Sequence, residues 1–396
     1  MLWILLAASA LLAVASMPNV ALADRFGPPW MARVTVEQST VRADPNGDAS
    51  PVGGLARGAI VVVLDQRDDW TRIQDGWVQS AELAESSEPW VAQVSDATTV
   101  YAKPDMRSPA RRMADGNNLL LVTGVAHGVD GDANLWWATT EGYTALASLR
   151  QADAELAREW IRPAANDALL GWWGKVRAAN VRAAPRADAS WVGEFQGGEY
   201  VKILGAVAGS EVDGDSTWYR IDGGRYPGAF VHASLIERLP DPSPTIVPPP
   251  DGRQLGDQPW LVVDRATHTL TLLRNGQPMF TTYVALGKAG RDTPEGAYAT
   301  FLKYPADRMT STSVADAERS YELPNVPFVQ YFKDDGSGIH ATYWHDMFGR
   351  DESQGCVNVT WSDAAYLFQQ TLPSPVEGQV RSWSPAEEAT PLIILH

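Results

Sequence analysis

The stretch "VRAAP", Val181 to Pro185, has two earlier versions in the chain, "VRADP" at 41–45 and "VYAKP" at 100–104. Each version is followed by an apolar run, by a segment that begins with tryptophan, and by a short tail that carries an aromatic residue. Short alternating runs separated by turn residues are typical of antiparallel β-strands. About five such strands can close into a small barrel without exposed edges. We therefore predict three small β-barrels, over residues 32–85, 90–150 and 172–238.

The openings of the three units resemble those of bacterial SH3-like domains, which begin with a V-R-x-x-P motif. The resemblance implies modules that bind cell-wall peptides, although a spacer or packing role accounts for the same residues. Between the second and third units, residues 151–163 place Leu156 and Trp160 four positions apart, shortly before a proline. This spacing predicts a short helical connector.

The net charge and the first residues indicate where the protein acts. The formal charge of −16 over 396 residues argues against a nucleic-acid partner and against docking on an anionic membrane. Residues 1–23 carry no charged side chain and end in an A-x-A pattern, which predicts a cleaved signal peptide. Pro18 interrupts the apolar run, so no stable membrane span is expected, with an uncleaved anchor as the alternative. We expect an exported protein of the periplasm or the extracellular cell wall.

Residues 239–258 are rich in proline and form the clearest domain boundary. Such a segment favours extended conformations and predicts a semi-rigid linker, which would let the modules on either side move separately. Beyond it, residues 259–396 begin as a hairpin around Asn275-Gly276. Ser362 to Leu372 is the one predicted helix, with Ser362 as its N-cap. The fold class is therefore mainly β: three SH3-like barrels, then a β-rich, mostly antiparallel domain with one short helix.

Cys356 is the only cysteine in the chain and lies in residues 353–358, "SQGCVN". A thiol nucleophile needs a nearby base, and His340 and His345 are the nearest histidines upstream. Gly355 allows a tight turn in which its amide and that of Cys356 point at one oxyanion. A buried inert thiol is one alternative, and a zinc site with the two histidines is another that lacks a fourth ligand. We expect no metal and no cofactor.

Several motifs in residues 259–396 resemble the L,D-transpeptidase catalytic domain of the YkuD (ErfK) family. The matching segments are "WLVVD" at 260–264, "LGK" at 286–288, "TPEG" at 293–296, "GIHAT" at 338–342 and "SQGCVN" at 353–358. The resemblance implies that Cys356 attacks a peptidoglycan tetrapeptide stem and forms a thioester, which an amine of a second stem converts to a cross-link. It also implies that His340 is the base that holds the thiol as a thiolate, and that the Gly355 backbone is an oxyanion donor.

One residue departs from the family motif, because Gln354 stands where the family has a histidine. Glutamine can orient the loop or bind substrate, but it carries no titrating proton. Arg350 is suited to a substrate carboxylate, and Ser353 and Asn358 are suited to holding the loop. The candidate substrate-binding residues are Tyr343, Arg350, Ser353, Gln354 and Asn358.

These features predict an exported transferase of cell-wall biogenesis whose partners are peptidoglycan stem peptides. Two other interpretations stay open. The first is a non-catalytic wall-binding protein whose site has decayed at Gln354. The second is an L,D-carboxypeptidase of the same fold, in which water replaces the acceptor amine.

Overall fold

The structure is a computed structural model that describes residues 27–116, 118–129, 134–153, 157, 163–252, 255–311, 321–376 and 379–396. It is mostly β, with 51% strand and one α-helix in the part described, which confirms the predicted fold class. The predicted signal peptide, residues 1–23, lies outside the described residues, and so does most of the predicted connector helix. Among the described residues, no helix is both long enough and apolar enough to cross a membrane.

The first SH3-like unit contains eight short strands in two sheets. They are β1 (Trp30–Val34), β2 (Gln38–Arg42), β3 (Pro51–Ala56), β4 (Ile60–Val63), β5 (Asp65–Arg67), β6 (Trp70–Ile73), β7 (Gly76–Gln79) and β8 (Leu83–Glu85). The sheet orders are β4-β1-β8 and β3-β2-β7-β6-β5. Buried and exposed side chains alternate along β2, as expected for a strand with one face on the core.

The second and third units each form one seven-stranded antiparallel sheet. The second contains β9 (Trp90–Val94), β10 (Thr98–Tyr101), β11 (Ala110–Ala114), β12 (Leu119–His127), β13 (Leu135–Thr139), β14 (Gly142–Ala145) and β15 (Leu149–Gln151). The third contains β16 (Trp172–Val176), β17 (Ala179–Arg182), β18 (Trp191–Phe195), β19 (Tyr200–Val212), β20 (Asp215–Asp222), β21 (Phe230–His232) and β22 (Ile236–Arg238). Numbered within its own unit, each sheet has the order 3-2-6-5-4-1-7.

The prediction of about five strands per unit is wrong. In the second and third units a last strand follows a single turn of 3₁₀ helix and pairs with the first strand, as β15 does with β9 and β22 with β16. The closing strands are only three residues long, too short to show an alternating pattern in the sequence.

The C-terminal domain contains two sheets and one helix, α1 (Trp361–Gln370). The five-stranded sheet has β23 (Trp260–Asp264), β24 (Thr269–Arg274), β25 (Gln277–Tyr283), β27 (Gly296–Thr300) and β34 (Thr390–Leu395). The seven-stranded sheet has β26 (Ala285–Gly287), β28 (Leu302–Ser311), β29 (Tyr321–Tyr331), β30 (Gly338–Ala341), β31 (Arg350–Ser353), β32 (Val357–Val359) and β33 (Ser382–Trp383). The orders are β25-β24-β23-β34-β27 and β31-β26-β32-β30-β29-β28-β33.

This domain is more mixed than the predicted antiparallel arrangement. Three pairs are parallel, β23 with β34, β26 with β31 and β30 with β32. The helix also differs from its prediction, because Thr360 is the N-cap and Ser362 lies inside the first turn. The hydroxyl and N–H of Ser362 both donate to the Asp222 carboxylate of the third unit, at 2.5 and 3.0 Å. A carboxylate from another unit therefore satisfies this helix start.

The third unit is joined to the C-terminal domain through buried charges. Lys202 Nζ lies 2.7 Å from Asp363 Oδ1, and both side chains are almost fully buried. Arg225 Nε lies 2.8 Å from Asp346 Oδ2, and the N–H of Gly224 donates to the same carboxylate at 2.6 Å. Charges this deep hold a fixed geometry only when they are paired, so the two bodies form one packed structure.

The proline-rich segment also packs against the C-terminal domain. The Val247 carbonyl accepts a hydrogen bond from Trp260 Nε1 at 3.1 Å, and Thr245 Oγ1 donates to Asp264 Oδ2 at 2.8 Å. Val247 and Leu255 lie against a small core that includes Trp260. The prediction of a linker that lets the two sides move separately is therefore wrong: the stretch is extended, but its side chains and carbonyls are bound.

Candidate active site

Cys356 lies in a turn between β31 and β32, at the edge of a cavity of about 290 Å³. Gly355 has a φ of +115°, which side-chain-bearing residues rarely adopt, so the turn requires glycine there. Strands β30 and β32 run parallel and place His340 opposite Asn358. Cys356 comes two positions before Asn358, and the side chains of Cys356, His340 and Asn358 all line the cavity. The structure thus brings the predicted nucleophile and base into one site.

Four hydrogen bonds fix the protonation of His340. The N–H of Met347 donates to His345 Nδ1 at 3.1 Å, so in the neutral ring the proton of His345 is on Nε2. That Nε2–H donates to Asn358 Oδ1 at 3.0 Å, which turns the Asn358 amide so that Nδ2 donates to His340 Nε2 at 3.2 Å. The Nδ1–H of His340 donates to the Ala341 carbonyl at 2.8 Å. Nε2 is therefore the basic nitrogen of His340.

The surroundings of the thiol and the imidazole favour the neutral form of each group. Burial raises the pKa of the Cys356 thiol to about 11, with the nearby Asp335 charge adding to the effect. Burial lowers the pKa of His340 to about 4. The thiol donates to the Gly336 carbonyl, with Sγ 3.9 Å from the oxygen. Burial thus disfavours the charged form of each group at rest, so the standing thiolate held by His340 stays a prediction.

Ser353 holds the loop of Cys356 and accepts a hydrogen bond from the Gly355 amide, the predicted oxyanion donor. Its Oγ donates to the Cys356 carbonyl at 2.6 Å and accepts the N–H of Gly355 at 3.1 Å. The Gly355 amide is therefore committed to Ser353, which corrects its assignment as an oxyanion donor. Within the described residues the N–H of Cys356 has no hydrogen-bond acceptor, so it is the donor of the turn that a substrate can use.

The remaining predicted substrate residues divide into two groups. Tyr343 and Gln354 line the cavity, although the Tyr343 hydroxyl donates to the Pro324 carbonyl at 2.7 Å and Gln354 is held by Arg291. Arg350 lies elsewhere: its Nη2 donates to the Gly198 carbonyl of the third unit at 2.7 Å, and its guanidinium lies over Tyr200. Arg350 is therefore an interface residue, which corrects its assignment to a substrate carboxylate.

The sequence analysis missed one wall of the cavity. This wall belongs to the second SH3-like unit and includes Lys103, Pro104, Arg111, Thr139 and Tyr143. Lys103 and Pro104 are part of "VYAKP", the motif that marked the unit as a repeat. The motif gave no sign that it faces a catalytic site, since its two sister copies share the same pattern.

No metal site accompanies the thiol: among the described residues, no three His, Cys, Asp or Glu side chains cluster as ligands. The Nε2 of His345 is bound to Asn358, and its Nδ1 accepts the N–H of Met347. Both ring nitrogens of this histidine are therefore already used within the protein.

Two family models match the chain. Residues 258–390 match the L,D-transpeptidase catalytic domain, YkuD, and residues 177–237 match the bacterial SH3 domain. L,D-transpeptidase 1 of Mycobacterium tuberculosis is 27% identical over 132 residues, which cover 32% of this chain and 53% of the relative. The chain thus matches about half the length of this curated relative.

Solved structures of similar proteins cover between 35% and 78% of the chain. L,D-transpeptidase 3 of Mycobacterium tuberculosis is 19% identical with a TM-score of 0.29, covering 35% of this chain and 61% of its own. The catalytic domain of the Enterococcus faecium L,D-transpeptidase is 22% identical with a TM-score of 0.28, covering 36% of this chain and all of its own. The assignment of the family therefore rests on the two family models. The chain contains an L,D-transpeptidase catalytic domain of the YkuD family, preceded by a bacterial SH3 domain.

Proposed function

We propose that the protein is an exported peptidoglycan L,D-transpeptidase in which Cys356 becomes acylated by a wall stem peptide. The observation that carries the proposal is that Cys356 and His340 line one cavity, with the basic nitrogen of His340 fixed as Nε2 by Asn358. The acyl donor is a tetrapeptide stem, and the acceptor is an amine of a second stem. Both follow from the family to which residues 258–390 belong.

The first half-reaction starts from the neutral pair. As the sulfur attacks the stem carbonyl and a C–S bond forms, the Asn358 amide gives up its hydrogen bond to His340 Nε2, and the thiol proton passes to that nitrogen. The Cys356 N–H is placed to donate to the oxygen that becomes negative. The C–N bond to the terminal D-amino acid then breaks, and the proton on Nε2 goes to the leaving amine. The product is a thioester with a neutral imidazole.

The second half-reaction reverses these roles. An acceptor amine attacks the thioester carbonyl and gives a proton to His340 Nε2, which returns it to the departing sulfur. A C–N bond forms, the C–S bond breaks and the neutral pair is restored. Because His340 carries its charge only transiently, the Ala341 carbonyl needs to hold the ring through Nδ1–H rather than neutralise it.

Purified tetrapeptide stems incubated with the protein test the proposal, with mass spectrometry of the products. We expect dimers with loss of one D-amino acid per bond, and none from a C356A variant. Shortened stems without dimers would instead assign a carboxypeptidase. Incubation with a carbapenem distinguishes an enzyme from a non-catalytic protein. A reactive Cys356 should gain the mass of the carbapenem, whereas a decayed site should gain none.

The pH dependence of alkylation tests the neutral resting pair. With a thiol pKa of about 11, the rate of iodoacetamide labelling of Cys356 should rise about tenfold per pH unit from pH 7 to pH 10. A standing thiolate would give a flat rate across that range. The urea-unfolded protein is the control, since its exposed thiol titrates near the ordinary value of about 8.5.

A further inference from the structure

The second SH3-like unit forms one wall of the cavity that Cys356 also lines. Its Tyr143 hydroxyl donates to the Glu322 carbonyl at 2.9 Å, and the Thr123 carbonyl accepts from Asn325 Nδ2 at 2.8 Å. Both contacts join the unit to the β28–β29 hairpin of the catalytic domain. A substrate in this cavity therefore touches the SH3-like unit as well as the nucleophile.

Arg111 is a cation of this wall that has no charged counterpart in the other two units. The pairing of β10 with β11 passes from Arg112 to Ala110, so Arg111 is the extra residue of a β-bulge. The same bulge in the first and third units holds Val52 and Val192. Bulges re-aim side chains and occur next to active sites. Only the second unit thus presents a cation at this position.

Among the described residues Arg111 makes no hydrogen bond or ion pair, although the Glu141 carboxylate attracts its charge and the Arg225 guanidinium repels it. Its neighbour Arg112 is committed to the Glu141 carboxylate, with Nη2 2.9 Å from Oε1, and to Asn118. Arg111 has no carboxylate within ion-pair distance among the described residues, and it lines the cavity.

The charges of the described residues at the cavity leave Arg111 available to an anion. Among these residues, two carboxylates line the cavity, and both are in ion pairs: Glu352 with Lys288 at 3.4 Å, and Glu322 with Arg308 at 3.8 Å. Lys103 adds a further cation to the same wall as Arg111.

We propose that the second SH3-like unit is a substrate-binding part of the active site, in which Arg111 binds a carboxylate of the stem peptide. This deepens the proposed function and rests on it for the identity of the substrate. A guanidinium binds a carboxylate through two parallel hydrogen bonds, which fixes both position and orientation. A tetrapeptide stem offers such a group at its C-terminus, and another on the side chain of its diamino acid residue when that residue carries one.

Steady-state kinetics with three stems test the proposal: one with free carboxyl groups, one amidated at the C-terminus and one amidated on the side chain. For the free stem, R111Q should raise KM about tenfold or more and change kcat by less than about twofold. One of the amidated stems should give equal KM with R111Q and with the natural protein, which identifies the carboxylate. R150Q, on exposed β15 of the same unit, is the matched control and should change nothing.

An equal effect of R111Q on all three stems, or no effect, overturns the proposal. Stem binding to the C356A variant gives a test that does not depend on turnover. It can be measured even if the natural protein forms no product and the proposed function fails. The free stem should bind C356A about tenfold or more tightly than R111Q/C356A, and R111K/C356A should bind between the two. Equal dissociation constants, or no binding of the stem to C356A, overturn the proposal.

Discussion

The second and third SH3-like units have the same strand order but are attached to the catalytic domain by different chemistry. Strand pairing makes their positions comparable: Lys202 of the third unit corresponds to Leu121 of the second, and Gly205 corresponds to Gly124. The third unit is attached by buried ion pairs in addition to close backbone approach and neutral hydrogen bonds at Gly224. The described contacts of the second unit include no buried ion pair: they are close approach at Gly124, neutral hydrogen bonds and a half-exposed pair, His127 with Glu322. The core of such a small unit determines its strand order, whereas its outer surface can vary and form either kind of attachment.

The two units also contact different parts of the active site. Arg225 of the third unit binds Asp346, and the residue just before it, His345, starts the hydrogen-bond series that ends at His340. The third unit therefore contacts His340 indirectly, through Asp346, His345 and Asn358. The second unit lies across the cavity and faces the space that a substrate fills.

The largest effect is expected from replacing Lys202 by the residue of the second unit. K202L leaves the Asp363 carboxylate buried without its cation, which should lower the free energy of unfolding by about 3–5 kcal/mol. Urea denaturation measures the loss. The double variant K202L/D363L removes both charges and should recover most of it, since a buried pair often contributes little beyond an apolar pair. A loss below about 1 kcal/mol for K202L would show that the buried pair does not anchor the unit.

The second unit should respond instead to added volume. A Cβ on Gly124 would lie 2.6 Å from Pro324 Cβ, whereas a Cβ on Gly205 meets no heavy atom within 4 Å. We expect G124A to lower the free energy of unfolding by about 1–3 kcal/mol by forcing the β28–β29 hairpin away. G205A is the matched control and should lie within about 0.5 kcal/mol of the natural protein. Equal effects would mean that the hairpin yields without cost, and the comparison of the two docking modes would fail.

The route from the third unit to the base is tested at His345, a positioning residue. H345F removes the donor to Asn358 Oδ1, which frees the amide to turn and leaves the His340 tautomer unspecified. We expect kcat to fall about tenfold or more with KM within about twofold. H345Q keeps an N–H donor and should restore part of the rate. A merely structural role would change both variants alike and would lower their unfolding midpoints together.

The sequence was sufficient for the residues whose chemistry is local. A lone cysteine after a glycine, with histidines upstream, predicted Cys356 and a nearby histidine as partners, and the structure has Cys356 and His340 lining one cavity. The choice of His340 over His345 came from the family resemblance. The tryptophan-bearing repeats indicated the three SH3-like units because each short segment contains its own alternation of apolar and polar residues and its own turn residues.

The sequence was insufficient where a side chain chooses among several partners that only folding brings near. Arg350 suits a carboxylate in any peptide-binding loop, and the fold gives it a carbonyl and a ring of the third unit instead. The Gly355 amide was expected to serve an oxyanion, but the Ser353 hydroxyl two residues away reaches it first. The parallel pairing of β30 with β32 likewise depends on a long connection whose path no local pattern records.

The smallest effect is expected at the aromatic position that all three units share. It is Trp77 in the first, Tyr143 in the second and Phe230 in the third, and only the tyrosine hydroxyl reaches the catalytic domain, at the Glu322 carbonyl. Y143F gives the second unit the residue of the third. It should lower the free energy of unfolding by about 0.5–1.5 kcal/mol, because the buried carbonyl loses its donor.

Tyr101 provides the matched control for Y143F, since it pairs directly with Tyr143 across β10 and β14. Its hydroxyl makes no hydrogen bond within the described residues, and its ring packs edge-on against Trp136. Y101F should therefore leave the free energy of unfolding within about 0.5 kcal/mol of the natural value. If Y143F and Y101F prove equal in urea denaturation, the hydroxyl contributes nothing to docking. The second unit would then be held over the cavity by shape alone, through Gly124 and Pro324.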